Sequence, residues 1–85
     1  YFMSKNKIQL TEQINPDQIL KAMEQKYAHE QTTTIDGLKI DFADSWVHLR
    51  KSNTEPIIRI YTEAKSQKEA DALAHRFIEE MQALI

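Results

Sequence analysis

A polar turn between two arginines is the part of the sequence best suited to chemistry. Arg50 and Arg59 bracket the segment RKSNTEPIIR, and they are two of the chain's three arginines. A guanidinium forms forked, charge-assisted hydrogen bonds to two oxygens of a phosphate group. Ser52 and Thr54 add hydroxyl donors, and Asn53 adds an amide. These residue types and their spacing predict a binding site for a phosphate oxyanion.

The backbone of this turn is expected to contribute as well. Asparagine tolerates the left-handed conformation, so Asn53 would let the N–H groups of residues 51–56 curl inward as a small anion-binding nest. Pro56 pushes Glu55 toward extended geometry, which fits re-entry into a strand. The plain alternative is an ordinary turn, because Ser, Asn, Thr and Pro are all common turn residues. The flanking arginines favour the anion site, since the chain's other charges are mostly lysine and glutamate.

Two strands are predicted to hold the arginines. Residues 46–50 and 57–63 each alternate apolar and polar side chains, which is typical of strands with one buried face. Val47 and Leu49 point inward in the first strand, and Ile58 and Ile60 do so in the second. The alternation therefore places Arg50 and Arg59 on outward faces.

A hairpin precedes these strands. Asp36-Gly37 lies between the apolar-alternating segments 33–35 and 38–42. This dipeptide predicts a type I′ turn, in which both turn residues need a positive φ angle. A short strand over residues 5–10 is predicted at the start of the chain.

Two amphipathic helices complete the predicted elements. Asn15 suits an N-cap and Pro16 the first helical position, and this helix should fade near His29. Ser66 and Glu69 form a capping box that opens a second helix. The second helix carries an apolar stripe of Ala70, Leu73, Ala74, Phe77, Ile78, Met81 and Leu84.

The element order β-α-β-β-β-β-α predicts an α+β fold, a mainly antiparallel sheet with two helices on one face. We expect residues 5–85 to form the domain, and residues 1–4 to be a tail or residues added to the natural chain. The other face of the sheet would carry Trp46 and Tyr61. It is either an ordinary solvated face or a docking face for a partner.

Composition narrows the class of protein. The chain has 85 residues, 41% of them hydrophobic, which is enough for one small domain with a modest core. It has no cysteine, so disulfides and thiolate metal sites are excluded. No apolar run is long enough for a membrane span and no leader opens the chain, so we expect a cytoplasmic domain without a membrane partner. The net charge of −2 disfavours nucleic-acid binding through a broad basic surface.

The polar turn resembles a known family motif. The segment RKSNTEPIIRIYTEA, residues 50–64, is similar to the phosphate-binding loop of the α-D-phosphohexomutases, R-x-S-(N or G)-T-E-P-x-x-R-x-x-x-E-A. The upstream Asp36-Gly37 segment and Trp46-Val47 also resemble that family's C-terminal domain. The resemblance runs from about Thr34 onward. Asn53, where other members have glycine, resembles the phosphomannomutase/phosphoglucomutase branch more than typical phosphoglucosamine mutases.

The resemblance implies a role within a larger enzyme. Such enzymes have four domains and interconvert hexose 1-phosphate and hexose 6-phosphate through a phosphoserine and a bisphosphorylated sugar, with Mg²⁺ bound outside the fourth domain. The fourth domain has a TATA-binding-protein-like fold, closes over the cleft and holds the phosphate that is not transferred. On this basis Arg50, Ser52, Asn53 and Thr54 would contact that phosphate, and Arg59 would assist or brace the loop.

The same resemblance implies that this chain is inactive alone, because nothing in it looks like the phosphoserine or metal loops. Its expected partners are the hexose phosphate and the other domains of the parent enzyme. Two readings of other classes stay open. Aromatic side chains between arginines are also found in single-strand nucleic-acid modules, and Trp46 with Tyr61 would suit a protein-docking module. A phosphoglucosamine mutase domain is the alternative within the family.

Overall fold

A computed structural model describes all residues, 1–85, and contains seven elements in the predicted order. The strands and helices begin and end as follows: β1 Phe2–Gln9, α1 Pro16–Lys26, β2 Gln31–Thr33, β3 Leu38–Asp41, β4 Trp46–Lys51, β5 Ile57–Ala64 and α2 Gln67–Gln82.

The strands form one five-stranded sheet in the order β1-β5-β4-β3-β2. Every neighbouring pair is antiparallel. Strands β2 to β5 follow one another as a meander, and β1 pairs with the last strand. The α+β class with an antiparallel sheet and two helices is confirmed.

The core lies between one face of the sheet and both helices. Alternate residues of a strand share a face, and the buried residues of β3, β4 and β5 follow this rule. They pack in one cluster with the buried residues of α1 and α2. The cluster includes Leu38, Ile40, Val47, Leu49, Ile58, Ile60, Ile19, Met23, Phe77 and Met81. The opposite face of the sheet, which we call the open face, has no helix over it.

Both helices begin where the capping residues predicted. The Asn15 side chain accepts a hydrogen bond from the Asp17 N–H at 2.9 Å, and the Ser66 hydroxyl accepts one from the Glu69 N–H at 3.1 Å. Helix α1 ends at Lys26, earlier than predicted, and Tyr27 as its C-cap turns its ring into the core. Neither helix is both long and apolar enough to cross a membrane.

The turn between β2 and β3 differs from the predicted type I′ hairpin. Gly37 has a φ angle of +78°, but no residue other than glycine has a positive φ, so Asp36 does not meet the requirement of that turn type. Strand β2 ends at Thr33, and Thr33 pairs with Lys39. The connection is therefore longer than two residues. Ile35 lies in it, 94% exposed, rather than in the strand.

Strand β1 begins at Phe2 rather than at Lys5. Phe2, Met3 and Ser4 pair with Ala64, Glu63 and Thr62, because β5 extends far enough to offer them partners. Three of the four residues expected to be a tail therefore lie in the sheet. Whether residues 1–4 belong to the natural domain stays a prediction.

Candidate functional site

The polar turn forms the tip between β4 and β5, and the two flanking arginines lie directly opposite each other. Arg50 and Arg59 are cross-strand partners. Partners of this kind have their side chains on the same face of a sheet, here the open face, and both residues are exposed. Like charges in this position are destabilising. The pairing therefore favours a binding function, since it offers the fold no local advantage.

Ser52 organises the tip. Its hydroxyl oxygen accepts hydrogen bonds from the backbone N–H groups of Thr54 at 3.2 Å and Glu55 at 3.3 Å. The Thr54 hydroxyl lies 3.3 Å from the same atom. Two N–H groups and a second hydroxyl thus converge within a few residues. The Thr54 and Glu55 N–H groups are therefore already paired with the Ser52 oxygen, and the hydroxyls of Ser52 and Thr54 are the donors that the tip can offer to an anion.

The prediction of an anion-binding nest with Asn53 in the left-handed conformation is wrong. All non-glycine residues have negative φ angles, Asn53 included. The N–H groups converge because the Ser52 side chain draws them together, as serine hydroxyls commonly do in turns. Asn53 instead contributes to the wall of a neighbouring cavity.

Arg50 has a counter-ion in the β2–β3 turn. Its Nη2 atom lies 3.4 Å from Asp36 Oδ1. The turn approaches closely because Gly37 has no side chain. A β-carbon at this position would lie 2.3 Å from the Leu49 carbonyl oxygen and 3.1 Å from Arg50 Cγ. His48 adds a hydrogen bond between its ring Nε2 and the Asp36 carbonyl. In the sequence, Asp36-Gly37 predicts a turn and forms part of the family resemblance, but the contact of Asp36 with Arg50 was missed.

A cavity of about 380 Å³ opens beside Arg50. Lys51 and Asn53 line it from the tip, Asp36 from the β2–β3 turn and Asp17 from α1. Lys51 Nζ lies 2.8 Å from Asp17 Oδ1, so this cation also has a partner. The cavity combines cations with nearby carboxylates, and an anion entering it would compete with these carboxylates for the cations.

Arg59 lines a different cavity on the side of β1, a shallow one of about 300 Å³ that is widely open to solvent. Lys5, Lys7 and Tyr61 line it as well. The five predicted site residues are therefore gathered at one end of the sheet but not in one pocket. Arg50 and Asn53 share the first cavity, Ser52 and Thr54 form the tip, and Arg59 faces the lysines of β1. No sequence pattern pointed to these lysines, because the pairing of the first strand with the last is a long-range contact.

Trp46 lies at the other end of the open face and is already partnered. Its indole N–H donates to Glu63 Oε2 at 2.6 Å. Lys39 Nζ lies 5.2 Å from the centroid of its ring, a distance typical of a cation–π contact. Its N–H is satisfied within the domain and Lys39 lies over its ring. These contacts weigh against a docking face centred on this tryptophan.

The pKa values shift in a polar cluster that is remote from the tip. Burial raises the pKa of Tyr27, whose hydroxyl donates to Glu80 Oε1 at 2.7 Å and accepts from Arg76 Nη2 at 2.9 Å. Burial alone would raise the pKa of Glu80, but hydrogen bonds from Tyr27 and Lys26 and the nearby Arg76 charge outweigh it and lower that pKa. Glu80 joins α2 to Tyr27 at the end of α1.

Replacing Glu80 with glutamine should lower the free energy of unfolding at pH 7 by about 1 kcal/mol. Because the folded-state pKa of Glu80 is lowered, its contribution is present above its unfolded pKa of about 4.3 and is lost as the pH falls through the lower folded value. Urea unfolding of both proteins should therefore show a difference at pH 7 that shrinks toward pH 3.

The matched control for this change is Glu79→Gln on the same helix. Glu79 is exposed and forms no ion pair within 4.0 Å. This variant should stay within about 0.5 kcal/mol of the unaltered chain at every pH. Equal losses in the two variants at pH 7 would show that net charge, rather than the Tyr27 cluster, sets the effect.

The chain does not bring together three histidine, aspartate or glutamate side chains in a way that could hold a metal ion. These residues therefore do not fit a site for the Mg²⁺ that the family resemblance implies for the parent enzyme.

Comparison with known proteins identifies a family and several relatives of this chain. The family described as "Phosphoglucomutase/phosphomannomutase, C-terminal domain" matches residues 7–80. A "Phosphoglucosamine/phosphogalactosamine mutase" of Sulfurisphaera tokodaii is 39% identical over 88% of this chain and 17% of its own length. A "Probable phosphoglucosamine mutase" of Methanopyrus kandleri is 30% identical over 93% of this chain and 18% of its own length. A "Phosphoglucomutase/phosphomannomutase" of Thermococcus kodakarensis is 62% identical over 44% of this chain and 8% of its own length.

The fold and the tip define a small α+β domain built to present polar donors and arginines at one end of an antiparallel sheet. The match covers nearly the whole domain, from β1 into the last turns of α2. The chain belongs to the phosphoglucomutase/phosphomannomutase C-terminal domain family. It spans less than a fifth of the length of the curated relatives above.

Proposed function

We propose that this chain is the substrate-phosphate-binding domain of a mutase that interconverts hexose 1-phosphate and hexose 6-phosphate. The observation that carries the proposal is the tip itself. Two directly opposed arginines flank a turn that carries the hydroxyls of Ser52 and Thr54 and the amide of Asn53. A phosphate near charge −2 needs donors from several directions, and this end of the sheet offers them.

Each tip residue has a distinct task in the proposal. The Arg50 guanidinium binds two phosphate oxygens as a fork and exchanges its Asp36 partner for the ligand. Ser52 and Thr54 donate through their hydroxyls, and the Asn53 amide donates from the cavity wall. Arg59, on the neighbouring strand, adds a second positive charge and braces the tip.

The contribution to catalysis is positioning. Binding energy from a phosphate that does not react holds the reacting end of the sugar in line for transfer. The proposed contacts are to phosphate oxygens rather than to sugar hydroxyls. The same tip would therefore accept either end of a bisphosphorylated intermediate. On the family resemblance, the phosphoserine and Mg²⁺ of the parent enzyme lie in its other domains.

Hexose phosphates are proposed as a substrate class. The relatives are named for glucosamine, galactosamine, glucose and mannose phosphates. A tip that contacts only the phosphate is compatible with all of these sugars. Substrate choice is then assigned to the other domains of the parent, and a phosphoglucosamine mutase would use this tip in the same way.

A titration followed by backbone amide chemical shifts tests the proposal. Adding glucose 6-phosphate should shift the amides of residues 50–54 with a dissociation constant on the order of millimolar, because ordering the tip offsets much of the hydrogen-bond energy. Unphosphorylated glucose is the matched control and should leave these amides unchanged. A single-stranded oligonucleotide that shifted the open face, with no response to the sugar phosphate, would overturn the proposal in favour of a nucleic-acid module.

A further inference from the structure

The β1 edge of the open face carries an unassigned group of cations. Lys5 pairs across strands with Tyr61, and Lys7 pairs with Arg59. Because directly opposite residues share a face, all four side chains project from the open face. They line the same cavity of about 300 Å³. We call Lys5, Lys7, Arg59 and Tyr61 the β1 basic site.

None of the three cations in the β1 basic site has a carboxylate partner. The ion pairs within 4.0 Å involve Lys26, Lys39, Arg50, Lys51, Lys65, Arg76 and His29, and no residue of this group. The next row of the open face does contain acids, but they are occupied. Glu63 accepts the Trp46 indole N–H, and Asp41 lies 3.5 Å from Lys39 Nζ.

Cations also lie side by side across three strands of the open face. Lys7, Arg59 and Arg50 follow one another across β1, β5 and β4. Three cations in neighbouring positions repel one another, and only Arg50 has a counter-ion, Asp36. This row of exposed like charges runs inward from the edge strand β1, and its members gain no attraction from one another. An external anion placed against the row would relieve the repulsion.

We propose that the β1 basic site binds a phosphate monoester group through Lys5, Lys7 and Arg59. Three cations on neighbouring strands suit a group near charge −2 better than a singly charged carboxylate. Arg59 offers a forked donor, the lysines act as point charges and the Tyr61 hydroxyl adds a neutral donor. The site shares Arg59 with the proposed function and otherwise uses residues that the tip does not.

The test compares two double variants of the full 85-residue chain. Lys5→Gln/Lys7→Gln removes the lysines of the site, and Lys65→Gln/Lys68→Gln makes the same change in charge beyond β5 and on α2. Inorganic phosphate and glucose 6-phosphate are each titrated in place of NaCl at constant ionic strength, which distinguishes free phosphate from sugar phosphate as the source. Amides of residues 5–7 and 59–61 report on the β1 basic site, and amides of 50–54 report on the tip.

We expect phosphate to shift the amides of residues 5–7 and 59–61 in the unaltered chain. The affinity for phosphate should be at least fivefold lower in Lys5→Gln/Lys7→Gln. In the control variant Lys65→Gln/Lys68→Gln it should stay within twofold of the unaltered chain. Lys5→Arg/Lys7→Arg should retain binding, because it keeps the charges. All substituted side chains are exposed, and thermal unfolding checks that the variants fold.

The outcomes separate this inference from the proposed function. Shifts at the tip alone would overturn the β1 basic site and leave the proposed function standing. Amide shifts at the β1 basic site alone would support that site and would overturn the proposed phosphate binding by the tip. Loss of affinity in the control pair equal to that in the β1 pair would show only a dependence on net charge, and would overturn the inference.

Discussion

The Arg50→Lys variant should bind glucose 6-phosphate about tenfold more weakly than the unaltered chain, a loss of about 1.4 kcal/mol. The positive charge is kept, but an ammonium cannot form the two parallel N–H···O bonds of a guanidinium. One charged hydrogen bond contributes about 1.5–3 kcal/mol, so the loss of one arm of the fork accounts for the expected change. The measurement is the initial slope of the amide titration at residues 51–54, which falls in proportion to the affinity.

The stability of the fold provides the control for this variant. A lysine at position 50 can still pair with Asp36, and the residue is exposed. The thermal midpoint should therefore shift by no more than a few degrees. The affinity of Arg59→Lys for glucose 6-phosphate is the comparison for Arg50→Lys. Arg59 lies directly opposite Arg50 but lines a different cavity. An unchanged affinity in Arg50→Lys would show that charge alone attracts the ligand and would reject the forked contact.

Local patterns made the elements and the tip predictable from the sequence. Asn15 with Pro16, and Ser66 with Glu69, mark helix starts through contacts within three residues, and these contacts are present. Strand alternation placed Arg50 and Arg59 on outward faces, because each strand has one buried side. The polar tip needed only the composition of a short segment.

The contacts around the tip depended on long-range register, which a sequence pattern does not encode. Asp36 reaches Arg50 only because β3 and β4 pair with Leu38 opposite Leu49. Lys7 meets Arg59 because the first strand pairs with the last. The prediction of a left-handed Asn53 was wrong for a local reason. The Ser52 hydroxyl oxygen accepts hydrogen bonds from the nearby backbone N–H groups of Thr54 and Glu55.

The open face separates charge along its length, so the net charge of −2 does not by itself oppose the proposed anion binding. Cations of β1, β4 and β5 gather toward the tip, as the row of Lys7, Arg59 and Arg50 shows. Carboxylates gather toward the other end, where Glu63 and Asp41 flank Trp46. Over separations larger than the Debye length of about 8 Å these groups are screened from one another. The local field at the tip is therefore set by the nearby cations rather than by the net charge.

Replacing Gly37 with alanine should destabilise the domain by about 2–4 kcal/mol. The φ angle of +78° is strained for any residue with a β-carbon. That β-carbon would also lie 2.3 Å from the Leu49 carbonyl oxygen, a backbone atom that cannot move without disturbing the pairing of β3 with β4. Thermal unfolding should show a midpoint lowered by about 10–25 °C.

Ile35→Ala is the matched control, because Ile35 lies in the same turn, is 94% exposed and has a negative φ. It should change stability by less than about 0.5 kcal/mol. Gly37→Ala should also weaken glucose 6-phosphate binding below its midpoint temperature, since the new methyl group would lie 3.1 Å from Arg50 Cγ and displace that side chain. If Gly37→Ala matched Ile35→Ala in stability, the turn would be free to move away from β4, and the contact between Asp36 and Arg50 would not be a fixed part of the site.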